Sequence, residues 1–199
     1  MGDASARRSL LLSLATRHGA LALRLVSMTV LARLLTPEDY GAFFAAAALV
    51  GIVAGLSDLG VHQWIVAVPE LTRDARRGGL GLGLAAGVVA FALVQAGYWI
   101  VPERAWSPQL RSTLFLLSFA LLLYPLATVG NAALQRDLRF GPLLWIGLTG
   151  AGTLAGVSVL ASVLGMGAVG LAAGTVAEAA VTAALHRRRF MAASPEVEE

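Results

Sequence analysis

Long apolar runs broken by short polar connectors fill most of this chain, and the runs are of membrane-spanning length. A helix needs about 20 mostly apolar residues to cross a bilayer. The pattern predicts six such helices, at 10–34, 41–61, 78–101, 112–131, 142–164 and 166–185. The first connector, Leu35-Thr-Pro-Glu-Asp-Tyr-Gly41, is a compact break. There Thr36 can cap the next helix, Pro37 suits a first turn, and Glu38 and Asp39 favour its positive end. The second connector, 62–77, reads as polar and basic. The third, around 102–108, carries Trp106, which with Trp99 suits a membrane interface. The fourth is Gln135-Arg-Asp-Leu-Arg-Phe-Gly141, followed by Pro142. The fifth, Gly165-Met166-Gly167, is short enough for a tight helical hairpin. After Phe190 a short acidic tail is predicted to be disordered, so the domain reading is one six-helix lobe at 1–190 and a tail at 191–199.

Composition agrees with this all-α, polytopic membrane architecture. The chain is 57% hydrophobic and 14% charged, with a mean hydropathy of +0.75, which excludes a soluble globular protein. There is no cysteine, hence no disulfide, thiolate metal site or cysteine nucleophile. All 15 basic residues are arginine. They gather on alternate connectors rather than on one basic face, which argues against nucleic acid. Arg7, Arg8, Arg73, Arg76, Arg77, Arg136, Arg139, Arg187, Arg188 and Arg189 fall on one side of the predicted topology; Arg33, Arg104 and Arg111 fall on the other. Positive loops stay inside, so both termini are expected in the cytoplasm. Arg7-Arg8 ahead of a leucine run also looks like an export signal. Arg17-His18 interrupts that run, however, and the apolar pattern resumes to Leu35, so an uncleaved first helix is expected.

Glycines recur one helical turn apart: Gly79, Gly83 and Gly87; Gly152 and Gly156; Gly170 and Gly174. Small residues at this spacing let helix backbones approach closely in lipid, and all seven are expected at helix contacts. The run Gly78-Gly-Leu-Gly-Leu-Gly83 lacks the lysine and hydroxyl residue of a phosphate loop and follows no strand.

Several stretches resemble one family. Leu31-Ala-Arg-Leu-Leu-Thr-Pro-Glu-Asp-Tyr-Gly41 leads into a span ending Leu56-Ser-Asp-Leu-Gly60. Pro69-Glu-Leu-Thr-Arg73 and Asn131-Ala-Ala-Leu-Gln-Arg-Asp-Leu-Arg-Phe140 follow in order. Together they resemble the start of polysaccharide or O-antigen flippases of the multidrug/oligosaccharidyl-lipid/polysaccharide exporter superfamily, over about residues 10–190. The resemblance implies two pseudo-symmetric lobes of about six helices rocking around a hydrophilic cavity in the bacterial inner membrane. Its implied substrate is a lipid-diphosphate-linked oligosaccharide. This chain matches the first lobe alone, which implies a partner: a second six-helix lobe or another copy of itself. The competing expectation is a non-transporting helper or a truncated remnant.

Charged residues inside the spans are the candidates for function. Arg24 lies about 20 Å into the first span at 1.5 Å per residue. An arginine there costs from about 2.5 to more than 10 kcal/mol unless it faces a wet or protein interior. Arg17, seven residues earlier, shares its stripe with Arg24. Two stacked guanidiniums suit a diphosphate, whose oxygens they pair bidentately, although Arg17 can also reach the headgroups. Glu178 is the one acidic residue of the sixth span. It is expected either to pair with Arg17, at similar depth, or to carry a coupling proton. Asp58 is a weaker coupling candidate and reads more simply as a helix-end residue. Arg136 and Arg139 sit on an inner connector where a lipid diphosphate or anionic headgroups can meet them. His18, His62 and His186 show no metal-ligand spacing. No cofactor motif, serine-protease element, aspartyl pair or carboxylate cluster occurs, so no enzyme is expected.

Overall fold

The computed structural model describes residues 19, 21, 25–57, 60–68 and 73–192. Every regular element among them is helical. A first helix, α1, covers Leu25–Leu34. It is followed by α2 (Pro37–Ser57), α3 (Val61–Ala67), α4 (Arg73–Ile100), α5 (Pro108–Ser118), α6 (Ala120–Arg136), α7 (Phe140–Val163) and α8 (Gly167–Ala192), with one 3₁₀ turn at Glu103–Ala105. Five stretches are long and apolar enough to cross a membrane: Pro37–Leu56, Arg77–Ile100, Pro108–Arg136, Phe140–Val163 and Gly167–Arg188. With the shorter apolar α1, they make this a polytopic membrane protein.

The helix starts follow from local sequence. Thr36 Oγ1 accepts from the Asp39 backbone N–H at 3.2 Å. In return Asp39 Oδ2 accepts from the Thr36 N–H at 3.1 Å and hydroxyl at 3.0 Å. This is a reciprocal capping box with an aspartate in the third position, as the Thr-Pro-Glu-Asp run predicts. Ser107 caps α5 by accepting from Leu110 N–H at 3.2 Å, with Pro108 in the first turn.

Two predicted stretches carry internal detail that hydropathy does not give. The fourth span, expected at 112–131, lies within Pro108–Arg136, a single stretch long enough to cross a membrane, built from α5 and α6 joined at Phe119. There Phe119 N–H donates to Leu116 O and Leu122 N–H to Phe119 O, each at 3.2 Å. These i→i−3 bonds tighten the chain locally. The second connector is also more than a polar loop. Gly60 takes φ +70° and turns the chain into α3, whose Val61 and Ile65 are buried against Val129, Ala132 and Leu80. The run Val-His-Gln-Trp-Ile-Val-Ala spaces those two apolar residues four apart, so one face of a short helix can be buried.

At the centre of the bundle, α8 packs against α2, α5, α6 and α7. The main core joins α2, α4, α5, α6 and α8 through Ala46, Val50, Ala90, Leu114, Leu117, Leu121 and Ala172. The turn between α7 and α8 is as tight as predicted, with φ +78° at Gly165 and +53° at Gly167. At Gly167 a Cβ would strike Asp39 Oδ1. That oxygen accepts the Ala168 N–H at 3.2 Å across 129 residues of sequence. One buried carboxylate, 8% exposed, thereby caps the start of α2 and the start of α8.

The glycines divide. Gly83 and Gly87 meet Pro125 and the Leu121 carbonyl, Gly79 meets α3, and Gly170 and Gly174 meet Ala161, Ser158 and Leu154. Gly152 and Gly156 meet nothing within 4 Å. They lie on the outer face of α7, because Ala151, Ser158, Ala161 and Ser162 take the inner one. Gly130 and Gly150 make contacts that four-residue spacing does not reveal: the first lies under His186, the second under Thr182 and Glu178.

Candidate functional site

Three of these helices, together with Leu21 and with Val66 of α3, line an open cleft of about 990 Å³. Helix α6 lines it with Tyr124, Ala127, Asn131 and Gln135, and α8 with Thr175, Glu178, Thr182 and His186. Both sets step by three, four and four residues, which keeps a single stripe on one face of a helix. The two stripes therefore run side by side. Helix α7 supplies the third wall through Phe140, Leu143, Ile146, Gly147 and Ala151. Helix α8 packs closely on both α6 and α7, whereas those two touch each other far less, and this wedge is the space.

The cleft runs along α6 from beside the α6–α7 connector to the level of Tyr124. Tyr124 and Gln135 are eleven residues apart, about 16 Å at 1.5 Å per residue, or about half of a 30 Å hydrocarbon core. Glu178 lies over Gly150, where a Cβ would stand 3.4 Å from Glu178 Cγ. The missing side chain at 150 is what lets the glutamate fold against α7. His186, 3% exposed, rests on Gly130 in the same manner and forms part of the wall. The Thr175 and Thr182 hydroxyls donate to Leu171 O at 3.0 Å and Glu178 O at 2.8 Å. Their oxygens keep lone pairs for a ligand while the protons serve the helix.

Two arginines flank the α6–α7 connector beside the cleft. Arg136 is the last residue of α6 and Arg139 the N-cap residue of α7. Between them Leu138, 70% exposed, adopts φ +53°. Leu138 N–H donates to Gln135 O at 3.1 Å and Arg139 N–H to Leu134 O at 2.9 Å. That is a Schellman close, with leucine where glycine is usual. It stops α6 and turns the chain into α7 within three residues, so both arginines belong to the connector at one end of the cleft.

Of the residues singled out from sequence, Glu178 lines the cleft, and Arg136 and Arg139 sit on the connector between two lining residues, Gln135 and Phe140. Arg17, Arg24 and Asp58 lie outside the described residues. The described parts of the first span do reach the site. Leu21 lines the cleft, and a Cβ at Gly19 would stand 3.5 Å from Leu148 of α7. Sequence reasoning passed over Tyr124, Thr175, Thr182 and His186 as site residues, and took Asn131 and Gln135 only as parts of a motif. Their signal was periodicity of polar residues inside apolar helices, which a search for charges does not register.

Set among apolar side chains, the polar lining groups are two carboxamides, a phenol, two hydroxyls, an imidazole and one carboxylate, and the connector beside them carries Arg136 and Arg139. Such a surface hydrogen-bonds polyhydroxylated groups and meets anionic groups at its edge.

Neither a curated protein nor a solved structure matches the chain significantly. A family model described as "Polysaccharide biosynthesis protein" matches residues 30–190. That interval runs from α1 into the last turns of α8 and takes in every described wall of the cleft except Leu21. On this match the chain belongs to the polysaccharide biosynthesis protein family.

Proposed function

We propose that the chain is one lobe of a flippase that moves a lipid-diphosphate-linked oligosaccharide from the inner to the outer leaflet of the bacterial inner membrane. Both termini face the cytoplasm, so the α6–α7 connector and the cleft mouth are cytoplasmic too. The observation that carries this reading is the cleft along which α6 and α8 align their polar side chains, beside a connector that carries two arginines, in a chain of the polysaccharide biosynthesis family. Sugar hydroxyls exchange water for Asn131, Gln135, Tyr124 and Glu178. The diphosphate stays with Arg136 and Arg139, where charge-assisted bonds are strong and bulk water is near. A cleft that ends at mid-membrane offers no through path, so transport needs a second lobe to complete the outer half. The chain makes and breaks no bonds on this reading and uses no cofactor.

The test is reconstitution with its partner lobe, or with a second copy of itself. Asn131→Ala combined with Gln135→Ala should lower transport about tenfold or more at normal abundance. Arg136→Ala combined with Arg139→Ala should weaken substrate binding, and lysine at both positions should restore it only in part. Unchanged transport in both double variants would remove the cleft from the mechanism. Transport by the purified 199-residue monomer alone would refute the incomplete-lobe reading.

A further inference from the structure

The two polar stripes of the cleft keep step with each other. Gly130 lies under His186, which sets Asn131 beside the histidine's turn of α8. Six residues earlier in α6, Tyr124 lies near enough to Glu178, eight residues earlier in α8, to feel its charge. Both helices therefore run the same way along the cleft, and its two ends differ in chemistry. The carboxamides of Gln135 and Asn131 lie towards the α6–α7 connector. The ring of Tyr124 and the carboxylate of Glu178 lie at the other end, with Thr175. One turn further on, Leu121 and Ala172 are buried with Leu117 in the main core. The polar stripe stops where apolar packing joins the two helices.

That far end suits one kind of group. Tyr124 is 36% exposed and borders both the cleft and the open space between α3, α4 and α6, so its ring is not packed away in the core. The face of an aromatic ring carries partial negative charge and attracts polarised C–H groups. A pyranose offers such C–H groups on one face and hydroxyls around its edge. Glu178 can serve that edge, because a carboxylate has about four acceptor sites and a contact within the protein leaves others. Thr175 adds an oxygen whose proton is already given to Leu171 O. A phosphate has no C–H face and is repelled by a carboxylate, so the diphosphate belongs at the opposite end, beside the two arginines. The distance between the ends then has a meaning. From Gln135 to Tyr124 is about three helical turns of about 5.4 Å, and each turn is close to the length of one pyranose unit.

We propose that the cleft binds its saccharide lengthwise and measures it, with about three sugars between the diphosphate at the Arg136–Arg139 connector and a terminal sugar stacked on Tyr124 and hydrogen-bonded to Glu178. Tyr124 is then the residue that sets the recognised length. This rests on the cleft being the saccharide site. A further sugar finds no polar group beyond Tyr124 and Thr175, only the packed core around Leu121, so recognition ends with the third.

Binding, unlike transport, needs only the cleft, so the full chain in lipid nanodiscs serves for the test. The probes are polyprenyl-diphosphate compounds carrying one, three or five sugars. Affinity should rise about tenfold or more from one sugar to three and level off from three to five. Tyr124→Ala should weaken the three-sugar compound about three- to tenfold. It should leave the one-sugar compound within about twofold, which also shows that the variant is folded. Tyr124→Phe, which keeps the ring, should keep most of the affinity for three sugars. On the three-sugar compound, a diazirine on the terminal sugar should mark residues 124 and 175–178, and one on the first sugar should mark 131–135. Equal weakening of the one- and three-sugar compounds by Tyr124→Ala would make the tyrosine a structural part of the wall and overturn the proposal. So would affinity that is flat from one sugar to three, or still rising at five. With the sugar labels in the cleft, each of these outcomes leaves the flippase reading standing. Sugar labels that fall outside the cleft altogether would overturn both.

Discussion

Asp39 shows how much one side chain can hold and how little of that shows in its neighbourhood. The Thr36–Asp39 reciprocity is readable from four residues of sequence. The bond from Ala168 N–H to Asp39 Oδ1 is not, because 129 residues separate the partners and only the folded bundle brings them together. Hydrogen bonds to a charged group contribute about 1.5–3 kcal/mol each when buried. Asp39→Ala should therefore lower stability by about 2–4 kcal/mol, seen as loss of folded protein in a thermal series in detergent, since it frees the starts of two helices. Thr36→Ala, which touches only α2, should cost about 1 kcal/mol. Equal losses from the two would mean that the tie to α8 contributes nothing. Leu138 makes the opposite case. A left-handed leucine is strained by about 1–2 kcal/mol, and this one is largely exposed. Leu138→Gly should raise the melting temperature by a few degrees, net of the extra freedom glycine brings to the unfolded chain. A lower melting temperature would show that the leucine side chain is held by contacts that outweigh its strain.

The helices were readable from their apolar runs, but their faces were not. Four-residue glycine spacing marks a stripe without saying whether that stripe turns inward or towards lipid. Gly87 and Gly174 turn inward: a Cβ would lie 2.6 Å from Leu121 O at the first and 2.8 Å from Leu154 O at the second. Gly152 and Gly156, with the same spacing, turn outward. Alanine separates the two groups experimentally. Gly87→Ala and Gly174→Ala should destabilise by about 1–3 kcal/mol through overpacking. Gly156→Ala should be neutral or stabilise by up to about 1 kcal/mol, because alanine holds a helix better than glycine. A large loss from Gly156→Ala in detergent-solubilised chain would mean that the outer face of α7 is an internal contact. The break in the fourth span was missed for a related reason. Its hydrophobicity is continuous through Phe119, so the interruption appears only in hydrogen-bond geometry, reinforced by Ser118 Oγ donating to Phe115 O at 2.7 Å.

Across the whole molecule, arginine placement and the polar stripes bear together on the proposed orientation. Alternate connectors carry most of the arginines, and the cleft opens at a connector of that arginine-rich set. The stripes on α6 and α8 each place polar groups on a face that would be costly against lipid, so water or substrate must reach them from the open end. The absence of cysteine makes this directly measurable with single-cysteine variants and a membrane-impermeant maleimide. Gln135→Cys at the mouth and Thr182→Cys within the cleft should label in inside-out vesicles and not in intact cells. Met166→Cys, in the α7–α8 turn, should do the reverse. Leu160→Cys, exposed on the outer side of α7, should label in neither, as expected of a face that meets hydrocarbon rather than water. Depth makes Thr182 the critical position. It lies four residues inside His186, about 6 Å further into the membrane, so its reaction requires water within the wedge and not merely at its rim. Labelling at Gln135→Cys with none at Thr182→Cys would mean a closed cleft and a purely structural Glu178. The reversed sidedness at positions 135 and 166 would place the arginine-rich connectors outside and remove the cytoplasmic loading of substrate on which the flippase reading depends.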